Sequence, residues 1–244
     1  MKSFATVALG LLLAGAASTS LASAGSLSAI SLRPYTAIYE VSRNGDVAAR
    51  ATVTLQQSGD HWSLDSITTG THGLAALAAA DIREHSDFRD NGGQLETLEY
   101  RYTQKTILKT KERSISVDSA AGRIVSRDNK GEHEFPMQPG VLDHQSLTVA
   151  MAQDLAAGKR GTLSYSVVDK DAVGTQRYRV GKQDTTRVPA GALRTLNVVR
   201  MRESANGRVT ASWLGLDNGF VPVRVVQTEP NGEVYEMRLV SLKR

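Results

Sequence analysis

Over most of this chain apolar and polar residues trade places at every second position, the period of a strand that buries one face. Tyr35, Ala37, Tyr39 and Val41 mark one side of Tyr35–Arg43, and Ala49, Ala51, Val53 and Leu55 one side of Val47–Gln57. Asn44-Gly45 between them suits a two-residue type I′ hairpin, which needs positive φ at both central positions. The same alternation predicts strands over His61–Thr69, Asp81–Asp90, Gln94–Thr103 and Ile107–Asp118, then a hairpin over Ile124–Phe135. It resumes later over Gly161–Asp169, Gly174–Gly181, Asp184–Val188, Leu193–Glu203, Arg208–Leu216, Val221–Gln227 and Glu233–Lys243. Asn206-Gly207 and Asn231-Gly232 are further hairpin signals.

One stretch breaks the period. In Gly140–Lys159 the apolar residues Leu147, Ala150, Met151 and Leu155 recur at helical spacing and form one stripe. Asp143 is placed to cap the first turn, because its carboxylate can accept from free backbone N–H groups. Leu142 and Leu147 have the spacing of a hydrophobic staple. Gly158 suits the left-handed residue after a helix, and Lys159 and Arg160 complement the negative end of the dipole. The pattern therefore predicts a mainly β fold: a long antiparallel meander sheet rolled or curved around one central α-helix, about residues 143–157. Gly70–Ala80 fits neither period, and its Leu74 and Leu77 suggest an apolar plug or lip on the sheet.

The first 24 residues belong to a different class. Lys2 precedes the apolar run Val7–Ala17, and Ala22-Ser23-Ala24 is a small-x-small cleavage pattern. A secretory signal peptide cut between Ala24 and Gly25 is expected, leaving residues 25–244 as one β-rich periplasmic domain with no membrane span. With 0 Cys, neither disulfides nor thiolate metal sites are available. A net charge of +4 is too mild to imply nucleic acid, and 5% aromatic residues is too few for a stacking platform. Lys109, Lys111 and Arg113 alternate, so they should share one sheet face, read as a solvated outer face with an anion-binding strip as the alternative.

Chemical motifs are sparse. The five His, at positions 61, 72, 85, 133 and 144, show no zinc spacing. No nucleophile elbow and no phosphate-binding glycine loop is present. Asp143-His144-Gln145-Ser146 gathers an acid, an imidazole and a hydroxyl, but adjacent helical residues diverge and do not align as a relay. Capping explains Asp143 and Ser146 without catalysis. Trp213 reads as a core residue of a sheet face. Arg224 and Arg179 suit either cross-strand ion pairs or a ligand's acid group.

Several segments carry a family resemblance. They are Gly140-Val141-Leu142-Asp143 with Ser146, Tyr178-Arg179-Val180 followed by Val188-Pro189-Ala190-Gly191, and Trp213 with Asp217 and Val221-Pro222-Val223-Arg224. In this order, with the export signal, they resemble the DUF3108 family, periplasmic proteins of Gram-negative bacteria with no assigned function. The resemblance implies a β-rich sheet rolled about a helix and supplies no catalytic residues.

No reaction is spelled out. The expected function is non-enzymatic binding of a lipid or other apolar small molecule in the concavity of the sheet. Leu74, Leu77, Leu147, Met151, Leu155, Trp213 and Arg224 are its expected contacts, with no catalytic residue, metal or cofactor. The alternative is a cell-envelope interaction or scaffold protein without a small ligand; a hydrolase with dispersed triad residues ranks below both.

Overall fold

In the computed structural model, residues 32–71, 81–202 and 207–244 are described. The expected leader, Leu74, Leu77 and Asn206 lie outside the described residues. The first meander comprises β1 (Tyr35–Arg43), β2 (Asp46–Ser58), β3 (His61–Gly70), β4 (Asp81–Asp90), β5 (Leu95–Lys105), β6 (Thr110–Asp118), β7 (Arg123–Asp128) and β8 (Gly131–Pro136). Helix α1 (His144–Ala156) follows. The second meander comprises β9 (Thr162–Val168), β10 (Val173–Val188), β11 (Gly191–Met201), β12 (Val209–Gly215), β13 (Pro222–Thr228) and β14 (Val234–Lys243), with a short 3-10 turn at Leu216–Asn218.

Among the described residues all strands belong to one antiparallel sheet of 14, in the order β8-β7-β6-β5-β4-β3-β2-β1-β14-β13-β12-β11-β10-β9. The two meanders are joined where β1 pairs with β14, so the first and last described strands sit at the centre of the sheet. The first hairpin has the expected geometry, with Asn44 at φ 52° and Gly45 at φ 92°.

The sheet curls over α1. Leu147, Met151 and Leu155 share a core with Leu64 and Phe88 of β3 and β4, and with Leu163, Leu196 and Leu214 of β9, β11 and β12. A helix touched from both meanders requires the sheet to bend around it. The bend is stitched by the segment leading into α1. The Thr97 N–H of β5 donates to the Val141 carbonyl at 3.0 Å. The Leu142 N–H donates to Ser166, and Val168 N–H to Leu142, both at 2.9 Å, so Leu142 runs parallel to β9. A further core of Tyr100, Ile115, Ile124, Val141 and Val168 seals this junction.

Three expectations change. Residues 107–109 are not strand; β6 begins at Thr110, because a tight turn occupies Thr106–Lys109. The break expected at Gly181 is a bulge within one 16-residue strand, β10, where pairing shifts between Val180 and Gln183. Lys111 and Arg113 share the face of buried Ile115, the inner face; Lys111 stays exposed at the open end of the strand, while Arg113 is partly buried. Arg113 is 16% exposed, bonds Asp169 at 2.9 Å and lies over the Tyr102 ring. Alternation gives the period of a strand but not which side a polar set faces at the open end of a curled sheet.

Candidate functional site

The start of α1 is fixed by a buried polar network. Asp143, Ser146, Ser86 and Thr97 are all 0% exposed. Asp143 Oδ1 accepts from the N–H groups of Gln145 (2.6 Å) and Ser146 (3.1 Å). Its Oδ2 accepts from the Ser86 hydroxyl at 2.6 Å and the Thr97 hydroxyl at 2.8 Å. The Asp143 N–H donates to Ser146 Oγ at 3.0 Å, which completes a capping box. His144 turns the other way, with Nε2 3.5 Å from Asp169 Oδ1. Its hydrogen bond is the main cause holding the Asp169 carboxyl well below the ordinary carboxylate range, with the Arg113 guanidinium adding to it. The acid, imidazole and hydroxyl of residues 143–146 are therefore not a relay: two form a cap and the third faces a different carboxylate. At the other end Ala157 is the C-cap and Gly158 follows at φ 86°. Arg160 Nη1 donates to the Leu155 carbonyl at 3.0 Å.

Beside α1 the structure leaves a cavity of about 240 Å³. The helix supplies Val149, Ala152 and Ala156; Leu55 comes from β2, Tyr35 from the start of β1, and Phe220 and Val221 from the approach to β13. Arg33, Gln153 and Arg244 add polar atoms to an otherwise apolar wall. Burial pushes the Tyr35 hydroxyl well above its ordinary pKa, partly offset by the charge of Arg244. Gln153 Nε2 donates to Asp90 at 2.9 Å, while its Oε1 is buried with no hydrogen-bond partner among the described residues. Phe220 takes φ 57°, a left-handed conformation that a bulky side chain rarely adopts. Its N–H donates to Gly215 at 2.8 Å. Gly219 precedes it at φ 63°, and a Cβ there would meet Arg244 Nη2 at 2.5 Å.

The DUF3108 family model, described as a protein of unknown function, matches residues 35–240. The chain belongs to the DUF3108 family. No curated protein matches it. Among solved structures, a β-barrel-like protein of the domain of unknown function DUF1849 from Brucella abortus is similar. Its TM-score is 0.53 at 13% identity, covering 87% of this chain and 98% of that one. A DUF1089 family protein from Pseudomonas aeruginosa matches at a TM-score of 0.39 and 13% identity, covering 71% and 87%. The first likeness supports a β-barrel-like fold and nothing about activity.

In this DUF3108 chain the expected contact residues fall into separate places. Leu147, Met151 and Leu155 are 4%, 7% and 1% exposed and packed into the core, and the cavity wall is made by other helix residues. Trp213 is half-buried on the outer face, because its neighbour Leu214 takes the inner one. It pairs with Arg224, whose guanidinium lies 4.7 Å from the ring centroid and bonds Glu236 at 2.5 Å. The sheet-core position expected for Trp213 belongs to Leu214. The cavity uses a second helical stripe, Val149, Ala152 and Ala156, whose spacing of three and four residues was present in the sequence. Phe220 carried no such signal.

On the outer face His85 sits between two carboxylates, Nδ1 2.7 Å from Asp65 and Nε2 3.0 Å from Asp87. Burial alone would lower its pKa, but the two hydrogen bonds and the charges behind them outweigh that and raise it above 6.5. Among the described residues no group of three or more His, Asp or Glu side chains is arranged to hold a metal ion. No helix among them is long and apolar enough to cross a membrane.

Proposed function

We infer that this DUF3108 protein is exported and binds, without catalysis, an apolar ligand such as a lipid acyl chain in the cavity beside α1. The cavity carries the reading. Its volume of about 240 Å³ exceeds the roughly 150 Å³ at which an apolar cavity already takes up benzene. Apolar pockets with a few convergent polar groups are the usual form of small-molecule sites. Arg33, Arg244 and the unpartnered Gln153 Oε1 supply those groups and favour a ligand with a polar head. The left-handed Phe220 backbone on the same wall is a local cost of the kind that collects at functional sites. The expected signal peptide is the ground for placing the protein outside the cytoplasm.

The test uses the chain from Gly25, extracted into organic solvent after purification, with mass spectrometry for co-purified lipid. A fluorescent fatty acid provides a direct binding assay. Ala152→Trp fills the cavity from the helix side and should abolish probe binding while leaving the melting temperature unchanged or higher. A lipid-free extract together with equal probe response in wild type and Ala152→Trp would remove the proposal.

A further inference from the structure

The β5–β6 hairpin breaks a local rule. Its turn is fastened at both ends: the Thr106 N–H and Oγ1 donate to the Lys109 carbonyl at 2.9 and 3.0 Å, and the Lys109 N–H donates to Thr106 Oγ1 at 3.1 Å. The two apex residues are Ile107 and Leu108, 70% and 95% exposed. Turn apices favour Gly, Asn, Asp, Pro and Ser, which meet the backbone and solvent demands of the position. Two large aliphatic side chains there contribute nothing to the core. A rule broken without compensation inside the fold marks a functional position.

The surroundings are cationic. Lys105 and Lys109 flank the apex. Lys109 shares an open cleft with Lys111 of β6, Lys130 of the β7–β8 turn and Lys170 of the β9–β10 turn. The Glu112 N–H donates to Asn129 Oδ1 at 2.7 Å and holds the β7–β8 turn beside β6. Glu112 and Asp128 are the acids of the cleft. Asp128 is occupied by the Lys130 N–H at 2.7 Å, and Arg113 is paired with Asp169, which leaves the lysines as the free charges of the cleft. Among the described residues the lysine found in an ion pair is Lys159, far from this end.

We propose that this end of the sheet docks on an anionic lipid surface, with Ile107 and Leu108 inserted below the headgroups and Lys105, Lys109, Lys111, Lys130 and Lys170 over the phosphates. The shape selects lipid over protein. A protruding two-residue point buries far less than the roughly 1,000 Å² that a stable protein interface needs, whereas lipids close around it. The charge type agrees: lysine is a flexible point charge suited to a diffuse anionic layer, not the planar fork that reads one partner group. By strand direction this hairpin lies at the opposite end of the sheet from the start of β1, where the cavity opens. The inference therefore stands independently of the ligand reading.

Co-sedimentation of the chain from Gly25 with vesicles tests it; omitting residues 1–24 keeps their apolar run from contributing. Vesicles of phosphatidylglycerol and phosphatidylcholine should retain the protein, and phosphatidylcholine alone should not. Ile107→Ser with Leu108→Ser should weaken binding by about tenfold or more. Lys130→Gln and Lys170→Gln should each weaken it by about fivefold, and added salt should release the wild type. Because these side chains are exposed, unchanged melting confirms that the variants fold. Wild type that stays in the supernatant, or a Ser/Ser variant that binds as well as wild type, overturns the proposal. So does retention on phosphatidylcholine alone that salt does not reduce.

Discussion

Replacing Asp143 by Ala should be among the costliest single changes outside the apolar core. The substitution frees the N–H groups of Gln145 and Ser146 at the start of α1, a loss of about 1–2 kcal/mol for a helix cap. It also strands the Ser86 hydroxyl, which is 0% exposed and has Asp143 Oδ2 as its acceptor. A buried polar group without a partner costs about 1–3 kcal/mol. Thr97 escapes this term because its hydroxyl can donate to Ser146 Oγ, 2.8 Å away. The total is about 2–5 kcal/mol, or a drop of about 4–20 °C in melting temperature for a domain of this size. Circular dichroism melts of the chain from Gly25 measure it. Asp143→Asn should lose less than half as much. Its oxygen still accepts from the two N–H groups, and its amide faces hydroxyls that can rotate to accept. A drop below 2 °C for Ala would show that the network is not a stability element. An Asn variant as unstable as Ala would mean that the carboxylate charge is needed, contrary to the capping argument.

Two further outcomes are expected. Leu155→Ala should cost about 2–5 kcal/mol in urea unfolding, because Leu155 is 1% exposed in the core between both meanders, and a cost under 1 kcal/mol would place the helix outside that core. His85 should titrate above 6.5 by NMR, so its contribution to stability is fully present below pH 6.5 and is lost as pH rises through its folded-state pKa; Asp65→Asn should pull that pKa down, and a midpoint at or below 6.5 in the wild type would show that the two carboxylates do not outweigh burial.

What could be read from the sequence follows the range of the interactions. Asn44-Gly45, Asp143 and Gly158 act on their immediate neighbours, and the structure places each in its expected role. The strand spans follow because a two-residue period is local, and DUF3108 membership and the sheet curled on one helix agree with the resemblance. Three things depended on closure and were not legible. Trp213 and Leu214 are adjacent and both apolar, and only the curl of the sheet sends Leu214 inward. Arg113 is partly buried because Asp169 is brought to it from the far meander. The cavity exists only after Arg33, Val149 and Phe220, distant in sequence, meet beside α1.

The pairing of β1 with β14 has a consequence for how the chain is made. Thr36 is opposite Lys243, so the central ladder joins residues from nearly the whole length of the polypeptide. Closing so long a loop costs entropy before any contact repays it, and folds dominated by such pairings form slowly. Until the final strand has emerged, β1 and β13 each present an unpaired edge, the kind of surface on which chains aggregate. A nascent chain therefore cannot complete its sheet. The interval before Lys243 arrives is when these open edges leave the chain most prone to aggregate.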